Sequence, residues 1–458
     1  SSQELQYERH KGLSLLGRHQ HCGHFKRASL LVRLFAFTAY NHCLLQPSGV
    51  IMLPVRAIVL AAGQGKRMKS NKPKVLHEVL GRAILSRVMD AVGAAAGFTE
   101  DSKGLEHLHL VVGHSAEVVT DFVNNNPPPC PFSTHLQSPQ LGTGHAVMQV
   151  MPALEGFEGT LIVTVGDAPV LQANTLAELL ATHRQKKAVI TALSTVVPDP
   201  KNYGRMVRDQ EGKVRGIVED KDASAGEKLI NEVNTGIYCI EWPAAAAGLN
   251  SLSCDNKQKE YYLTDLVAWA YHAKLITETM ILTDFREVCG INSRVELAEA
   301  TVHLRDITAS RLALESGVTI VDPSATWIAP EVSIGEETLI LPGCYLVGNI
   351  EIGSNCQIGP FTVIKGVVKI GNNTTVNNSQ VNNSVIGDGV KIGPYAHVRE
   401  GNVIGDSSKV GNFVELKKAE IGHHSNVSHL SYVGDAVLGN HVNIGAGTLT
   451  ANYDHLTK

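Results

Sequence analysis

A six-residue repeat of aliphatic side chains constrains the fold of this chain more than any other sequence feature. Across the second half, isoleucine, leucine or valine recurs at every sixth position over 334–376 and again over 386–416, and the pattern continues over 421–433 and 438–444 after two steps of five. Glycine follows many of these residues, as in Ile352-Gly353. A hexapeptide period is typical of a β-helix, in which each short strand stacks its aliphatic residue on the coil below. Chance alternation in a sandwich would not keep this period for so long. We therefore predict a β-helix for the second half.

The first half follows a different pattern. From Val55 to about Asn292, short β-rich runs such as "VRAIVL", "LHLVVG" and "TLIVTVGD" alternate with helical patterns such as "AILSRVMDAVGAAAG". Strands that alternate with helices imply a mostly parallel sheet covered on both faces. Ligands bind at the carboxyl ends of the strands in such sheets. The loops after "VRAIVL" and after "TLIVTV" are therefore the places where we expect chemistry.

A single helix is predicted between the halves, over "NSRVELAEATVHLRDITASRLALESG". Ser293 and Glu296 form a capping-box pattern at its start, and Gly317 stands where a helix would end. At 1.5 Å per residue, about 23 residues would span about 35 Å, enough for a strut between two domains. One apolar stripe runs along it: Leu297, Ala300, Leu304, Ile307 and Leu314. We place the domain boundary at this helix.

Residues 1–51 differ from the rest of the chain. The segment "RHQHCGHFKR" clusters His19, His21, Cys22 and His24, for which we favour adventitious metal affinity over a metal site. The segment "ASLLVRLFAFTAY" is too short and too interrupted to span a membrane. Because Met52 directly precedes "LPVRAIVLAAG", we expect the folded protein to begin there, after a leader that is disordered or non-native.

Composition excludes several function classes. The formal net charge of −4 argues against a nucleic-acid binder, which needs a basic excess to displace counterions. An apolar fraction of 43% and a charged fraction of 18% are ordinary for a soluble globular protein. The 8 cysteines contain no C-x-x-C pair, which indicates free thiols in a reducing, cytoplasmic compartment. We expect neither a nucleic-acid nor a membrane partner.

The loop "LAAGQGKRM" after the first predicted strand matches neither common phosphate-binding motif. Leu60 occupies the place of the first glycine of Walker A, and Arg67 the place of its hydroxyl residue. Met68 occupies the place of the third glycine in the dinucleotide fingerprint. The small residues Ala61 to Gly65 nevertheless let backbone N–H groups approach an oxyanion or a base edge closely.

Charge near this loop points to phosphate. Arg67 and Lys74 could donate charge-assisted hydrogen bonds to it. Asp167, at the end of "TLIVTV", is a carboxylate that could hold Mg²⁺. A glycine turn before a solvated basic segment, and a simple turn at Asp167, are the alternatives from the residues alone.

A family resemblance spans the chain from about Val55 to Lys458. "LAAGQGKRM", "PKVLH", "LQSPQLGTGHA", "VGDAPVL", "EVNTGIY" and "GINSR" resemble, in order, the bacterial bifunctional N-acetylglucosamine-1-phosphate uridyltransferase and glucosamine-1-phosphate acetyltransferase. "VGNFVELKKAEIG", "SHLSYVGDA" and "NIGAGTLTANYD" resemble its acetyltransferase half. The resemblance implies an α/β fold: a Rossmann-like nucleotidyltransferase (GT-A-type) domain over 52–292, a linker helix over 293–317, and a left-handed parallel β-helix acetyltransferase domain over 318–458.

The resemblance implies Mg²⁺-dependent transfer of UMP from UTP to N-acetylglucosamine-1-phosphate, in the synthesis of cell-wall precursors. Asp167 and Asn292 would hold Mg²⁺, Arg67 would face the departing pyrophosphate, and Lys74 would face the phosphates being joined. The carried-over nucleotide-binding positions are Leu60, Ala61, Ala62, Gly63, Gln137, Gly142 and Thr143. The carried-over N-acetylglucosamine-binding positions are Gly204, Glu219 and Asn234.

In the β-helix half, acetyl transfer to an amine needs a base, and histidine has a suitable ordinary pKa. The resemblance places this base on His429, although a histidine on a coil surface would be the common interpretation of the residue alone. The matching positions for the sugar phosphate and the acetyl group are Arg399, Lys418, Tyr432, Asn443 and Lys458. The resemblance implies a homotrimer that acetylates glucosamine-1-phosphate with acetyl-coenzyme A. Members of the family have further coils after "NYD". We therefore expect a chain ending at Lys458 to have an incomplete acetyl-coenzyme A site.

Two departures from the family pattern stand out. Lys66 replaces a usual threonine, and Val165 a common aromatic residue. Two other functions compete with the family's: a related nucleotidyltransferase with a regulatory β-helix and another substrate, and a non-catalytic scaffold.

Overall fold

The structure of the chain is a computed structural model that describes residues 53–95 and 104–451. The predictions made for 1–51, including the histidine cluster, and for Lys458 lie outside these residues. The helices are α1 (Ile84–Ala95), α2 (Ala116–Asn125), α3 (Thr143–Met148), α4 (Ala173–Lys186), α5 (Ala246–Ser251), α6 (Asp265–His272) and α7 (Arg294–Glu315). Short 3-10 turns cover Lys66–Met68, Lys74–Leu76, Met151–Leu154, Glu227–Leu229, Phe285–Val288 and Pro323–Ala325.

The first half is built on one large sheet. Its strands are β1 (Val55–Ala61), β4 (His107–Val112), β5 (Phe132–Leu136), β6 (Gly159–Val165), β7 (Ile190–Val196), β8 (Arg205–Arg208), β9 (Val214–Val218), β10 (Glu232–Trp242) and β11 (Thr277–Leu282). A separate hairpin contains β2 (Glu78–Val79) and β3 (Arg82–Ala83). The order is β11-β7-β10-β6-β1-β4-β5, with β8 and β9 attached to β10. Only β10 runs against its neighbours β6 and β7 along that path, so the predicted mostly parallel sheet is confirmed.

Helices cover both faces of this sheet. One apolar core lies under α1, α2 and α4, and includes Leu85, Val88 and Val92, which are fully buried. The other lies under α3, α5 and α6. The helix predicted over "AILSRVMDAVGAAAG" is confirmed as α1. The carboxyl ends of β1 and β6, which are paired in parallel, lie side by side.

The second half is a parallel β-helix with three sheets. The first contains β12 (Thr319–Ile320), β15 (Leu339–Ile340), β18 (Gln357–Ile358), β21 (Thr375–Val376), β24 (Lys391–Ile392), β27 (Lys409–Asn412), β30 (Asn426–His429) and β33 (Asn443–Ile444). The second contains β13 (Trp327–Ile328), β16 (Tyr345–Val347), β19 (Val363–Lys365), β22 (Gln380–Asn382), β25 (His397–Val398), β28 (Glu415–Lys417) and β31 (Tyr432–Gly434). The third contains β14 (Ser333–Ile334), β17 (Ile350–Ile352), β20 (Val368–Ile370), β23 (Val385–Ile386), β26 (Val403–Ile404), β29 (Glu420–Ile421) and β32 (Val437–Leu438).

The side chains at the hexad positions form the core of the β-helix. Ile334 pairs with Ile352, and Ile352 with Ile370, so these coils are 18 residues long (352 − 334 and 370 − 352). The next coil has 16 residues, because Ile370 pairs with Ile386. Val381 occupies the core position inside the interruption of the repeat, and its side chain is fully buried. The stacking therefore continues through the gap in the sequence period.

In several Ile-Gly pairs, the glycine lies too close to the coil that follows for a Cβ to fit. A Cβ added to Gly353 would lie 2.8 Å from backbone atoms of Gly371 and Asn372. Buried hydroxyls tie adjacent coils in the same region: Thr374 Oγ1 donates to the Gly387 carbonyl at 2.9 Å, and Ser425 Oγ donates to the Gly439 carbonyl at 2.7 Å. The repeat thus combines an aliphatic core with close backbone contact and hydroxyl ladders.

Helix α7 confirms the capping-box prediction. The Ser293 side chain accepts from the Glu296 N–H, and the Glu296 side chain accepts from the Ser293 N–H. Gly317 follows the helix with a φ of +65°, a conformation that favours glycine. Leu304 and Leu312 join the core of the β-helix, so the helix packs along the first coils and is not an isolated strut. The prediction for Leu314 is wrong, because that side chain is 85% exposed.

The first half and the β-helix are in direct contact. Arg87 of α1 forms an ion pair with Glu331 at 2.9 Å. Val79 and Leu80 belong to the same apolar cluster as the first coils. No helix in 53–95 or 104–451 is long and apolar enough to cross a membrane.

Candidate active sites

The loop after β1 adopts a conformation that its glycines permit. Gly65 has a φ of +62°, and a Cβ there would lie 2.7 Å from Lys74 Cβ. A Cβ on Gly63 would meet nothing within 4 Å, because this residue faces open space. The turn Lys66–Met68 follows, with Met68 buried as its anchor. The loop therefore exposes backbone beside Lys74, as an anion site requires.

Three distant segments meet at Lys74. Its Nζ donates to Asp167 Oδ2 and, at 3.2 Å, to Asn292 Oδ1. Backbone bonds hold the segments together: the Gly166 N–H donates to the Leu60 carbonyl at 2.8 Å, and the Ile291 N–H donates to the Asp167 carbonyl at 2.9 Å. The side chains of Lys74 and Asp167 are 10% and 20% exposed, so this ion pair lies in a partly desolvated position.

Two cavities open on either side of this group. The first has a volume of about 660 Å³ and is lined by the β1 loop, Lys74 and the segment 137–143; we call it the nucleotide-side cavity after the positions predicted in it. The second, about 710 Å³, is lined by the segments 201–204, 234–236 and 285–292, and we call it the sugar-side cavity for the same reason. Four residues are shared by the two linings: Arg67, Val165, Asp167 and Asn292. The arrangement can hold two ligands that meet at Asp167.

The nucleotide-side cavity contains every position predicted there. Leu60, Ala61, Ala62, Gly63, Gln137, Gly142 and Thr143 all line it. Thr143 Oγ1 accepts from the Leu263 N–H at 3.1 Å, so this hydroxyl has a structural partner. Gln140 was not predicted, but it also lines the cavity, and its Nε2 donates to the Ala62 carbonyl at 2.5 Å.

The sugar-side cavity contains Gly204, Glu219 and Asn234. Burial raises the pKa of Glu219, although Thr264 Oγ1 donates to its Oε1 at 3.1 Å and opposes this shift. Burial also raises the pKa of Tyr203 in the same cavity to about 12. A Cβ on Gly204 would lie 3.6 Å from Glu219 Oε1. The wall therefore offers a partly buried carboxyl, an amide and a phenol, which suit hydroxyl and amide groups.

Asp167 and Asn292 fit a divalent cation. Both direct an oxygen at the same cation, the Lys74 ammonium. Mg²⁺ favours one or two protein oxygens with substrate oxygens and water. Across 53–95 and 104–451, no cluster of three or more His, Cys, Asp or Glu residues could hold a metal, so this pair is a candidate for shared binding with a substrate.

The two departures from the family pattern occupy different places. Lys66 is exposed on the nucleotide-side cavity beside Arg67. Val165 ends β6, where both cavities meet, and its Cγ1 would lie 3.0 Å from a Cβ on Gly236. Neither residue displaces Lys74, Asp167 or Asn292.

In the β-helix, His429 lies at the end of β30 with its ring exposed. Its Nδ1 lies 2.9 Å from Asn412 Oδ1 on the preceding coil. With the Asn412 amide oxygen facing the ring, which can only accept, the ring proton belongs on Nδ1 and Nε2 can take a proton. Asn412 was not predicted. Its role depends on the stacking of β27 under β30, which the sequence period alone does not reveal.

The other predicted residues of this half form separate groups. Arg399 Nη1 donates to Glu415 Oε1 at 3.0 Å, and Tyr432 is the register partner of Glu415 on the next coil. Lys418 is exposed at a corner with a φ of +46°, and Asn443 is exposed on β33. Within the described part of the chain, no hydrogen bond or ion pair joins His429 to any of them.

Known protein families match a segment in each half of the chain. The MobA-like NTP transferase domain matches residues 57–221, and the GMPPB C-terminal domain matches residues 328–429. The bifunctional protein GlmU of Pelobacter propionicus is 44% identical over 405 residues, which cover 88% of this chain and 85% of that protein. The chain belongs to the GlmU family. GlmU of Pelotomaculum thermopropionicum is 45% identical, covering 89% of this chain and 86% of that protein.

Membership in the GlmU family confirms the predicted family and its two-part fold. The chain is a bifunctional transferase with a nucleotidyltransferase and an acetyltransferase half, which excludes a non-catalytic scaffold. A solved UDP-glucose pyrophosphorylase complexed with UDP-glucose aligns with 56% of the chain, at 17% identity and a TM-score of 0.44. The fold described above does not depend on that alignment.

Proposed function

We propose that the first half transfers UMP from UTP to N-acetylglucosamine-1-phosphate, giving UDP-N-acetylglucosamine and pyrophosphate. The observation that carries this proposal is the junction of two cavities at Asp167 and Asn292. One cavity has a bare backbone loop and cations for a nucleoside triphosphate, and the other has polar groups for a sugar. Membership in the GlmU family favours this pair of substrates over other nucleotides and sugar phosphates.

The chemistry needs two anions to approach each other in line. A phosphate oxygen of the sugar phosphate forms a bond to the α-phosphorus of UTP, while the bond from that phosphorus to the bridging oxygen of pyrophosphate breaks. Little covalent chemistry is required of the protein, so positioning and charge neutralisation dominate. Lys74 contacts the phosphates being joined, and Arg67 the pyrophosphate that leaves.

Mg²⁺ is the proposed cofactor of this half, held by Asp167 and Asn292, and when bound it neutralises charge on the phosphates. Lys74 forms an ion pair with Asp167. We propose that the Lys74 ammonium turns to the phosphates when the substrates bind. Glu219 and Asn234 hold the sugar. Burial keeps the pKa of Glu219 above its ordinary value, and the carboxyl group accepts a hydrogen bond from a sugar hydroxyl in the cavity.

We further propose that the β-helix half acetylates glucosamine-1-phosphate with acetyl-coenzyme A. His429 Nε2 takes a proton from the substrate amine as the amine nitrogen bonds to the thioester carbonyl carbon. The C–S bond then breaks, and the proton passes to the departing sulfur, which leaves as the coenzyme A thiol. Asn412 supports this role by holding the other ring nitrogen. Arg399 and Lys418 bind the sugar phosphate, and Arg399 exchanges its Glu415 partner for that anion.

Tyr432, Asn443 and Lys458 complete the proposed acceptor and acetyl sites. We propose three parts: nucleotidyltransferase over 52–292, linker helix over 293–317, and acetyltransferase over 318–458.

A homotrimer in the cytoplasm is the proposed working state. An exposed apolar ridge on the β-helix supports self-association: Phe361, Tyr395, Phe413 and Leu430 are 58–69% exposed. The rings of Tyr395 and Phe413 stack with centroids 5.6 Å apart. Six cysteines of the described chain are free thiols, which supports a reducing compartment.

A coupled pyrophosphate-release assay with UTP, Mg²⁺ and N-acetylglucosamine-1-phosphate tests the first activity. We expect turnover by the wild type and nearly none by Asp167→Ala. Normal turnover by that variant would refute the metal assignment, and no turnover by a folded wild type that binds neither substrate would refute the function. Release of free coenzyme A thiol from acetyl-coenzyme A with glucosamine-1-phosphate tests the second activity independently.

A further inference from the structure

The orientation of the Gln137 side-chain amide is fixed by its neighbours. Gln137 is 4% exposed and lines the nucleotide-side cavity. Its Nε2 lies 2.8 Å from the Gly142 carbonyl oxygen. A carbonyl oxygen can only accept, so the amide nitrogen, and not the amide oxygen, must face it. The assignment of nitrogen and oxygen in this side chain therefore follows from chemistry.

His145 accounts for the second N–H of the same amide. Its Nδ1 lies 3.2 Å from Gln137 Nε2. With one N–H donated to Gly142 and the other to His145, the amide has no donor left for a ligand. Oε1 has no hydrogen-bond partner among the residues that the structure describes. The cavity therefore meets an acceptor at Gln137.

The His145 ring is itself held in place. It lies on α3, whose first turn is tied to the segment before α6 by the Gly144 N–H, which donates to the Tyr261 carbonyl at 2.8 Å. The Tyr261 ring stacks on the imidazole with centroids 6.3 Å apart. Gln149 Nε2 approaches His145 Nε2 at 3.2 Å, and also donates to the His145 carbonyl at 3.0 Å. A neutral ring can accept at only one nitrogen, so Gln149 competes with Gln137 for it.

We propose that His145 is a positioning residue that selects the base of the nucleotide by holding Gln137 with its carbonyl oxygen towards the cavity. This inference rests on the proposed uridine nucleotide. Uracil carries a donor at N3–H, which Gln137 Oε1 accepts. Cytosine carries a lone pair at N3, which would face that oxygen and be repelled. His145 does not line the cavity, so it acts through Gln137 and not by contact with the base.

Without an acceptor at position 145, one N–H of the Gln137 amide loses its partner. Only the Gly142 carbonyl then opposes rotation of the amide to offer an N–H to cytosine. A site that leaves a polar group unpaired discriminates strongly, and one that can adapt discriminates poorly. We expect the ratio of kcat/KM for UTP to that for CTP to fall about tenfold in His145→Phe. Phenylalanine keeps the ring and its stacking on Tyr261, but has no nitrogen. The effect is therefore on selectivity more than on folding.

The test measures pyrophosphate release with UTP and with CTP. His145→Gln, which restores an acceptor, should recover most of the selectivity. Gln149→Leu, which removes the donor that competes for the His145 ring, should keep or increase it. An unchanged UTP-to-CTP ratio in folded His145→Phe would overturn the proposal. If His145→Phe does not fold, an unchanged ratio in Gln137→Leu would overturn it. A wild type inactive with UTP would instead refute the proposed function, which separates the two failures.

Discussion

A cluster of three histidines on neighbouring strands should make the first half sensitive to acid. Ser133 Oγ lies 2.9 Å from His107 Nε2, 3.2 Å from His109 Nδ1 and 3.0 Å from His135 Nε2. His109 Nδ1 also lies 3.0 Å from His135 Nε2. Two protonated rings would each present an N–H across that contact, so at least one of the two imidazoles must be neutral.

The surroundings of the cluster oppose protonation. Burial lowers the pKa of His109 to about 3, with further repulsion from His107, His135 and Arg56. Burial also lowers the pKa values of His107 and His135. Arg56, from β1, strengthens the effect on His107, and Glu106 opposes it. The charged groups that face the cluster are thus one arginine and one glutamate, which pair at 3.2 Å.

The magnitude follows from proton linkage. The unfolded strand binds more protons than the folded one below the ordinary histidine pKa of 6.5. Stability is therefore full above pH 6.5 and is lost as the pH falls towards the folded value. For His109 alone, the loss between about pH 7.5 and about pH 5 is about 2 kcal/mol, or about 30-fold in an opening equilibrium.

Amide hydrogen exchange in β4 and β5, corrected for the intrinsic rate at each pH, measures this opening. We expect the protection factors of the wild type to fall about 30-fold between about pH 7.5 and about pH 5. His109→Leu should lose much less. His114→Leu, at an exposed histidine on the same half, should behave like the wild type. Equal pH dependence in His109→Leu and the wild type would refute the assignment of the effect to this cluster.

Three further predictions concern separate parts of the molecule. Lys74→Met should lower kcat for pyrophosphate release by roughly 10²–10³-fold, as removal of one transition-state donor does, and a change below threefold would contradict its role. Asn412→Leu should lower acetyl transfer and shift its pH profile, because His429 loses the bond that fixes its proton; an unchanged profile would argue against this. Gly353→Ala should lower the melting temperature by several degrees at a cost of about 1–3 kcal/mol. Gly445→Ala, where a Cβ meets nothing within 4 Å, should leave it unchanged, and equal shifts in both would contradict the close-contact argument.

Periodic features could be predicted from the sequence because they depend on local pattern. The hexad repeat predicted the β-helix, and Ser293 with Glu296 predicted the start of α7. Val381 was missed because its coil is shortened by two residues, which breaks the count but not the stacking. Leu314 was placed on the buried stripe because periodicity alone cannot tell where the packing partner of a helix ends.

Contacts between distant segments could not be predicted from spacing. Lys74 and Asp167 are 93 residues apart, and only the family resemblance placed both in one site. The contact of His145 with Gln137 needs both the end of β5 and the start of α3. The contact of Asn412 with His429 needs two successive coils in register. These are tertiary juxtapositions with no local pattern.

The position of bound UDP-N-acetylglucosamine in a crystal of this protein tests the central claim most directly. We predict the uracil beside Gln137, the two phosphates beside Asp167 and Asn292, and the sugar against Glu219 and Asn234. A product bound with its phosphates away from Asp167, or with the sugar in the nucleotide-side cavity, would contradict the account.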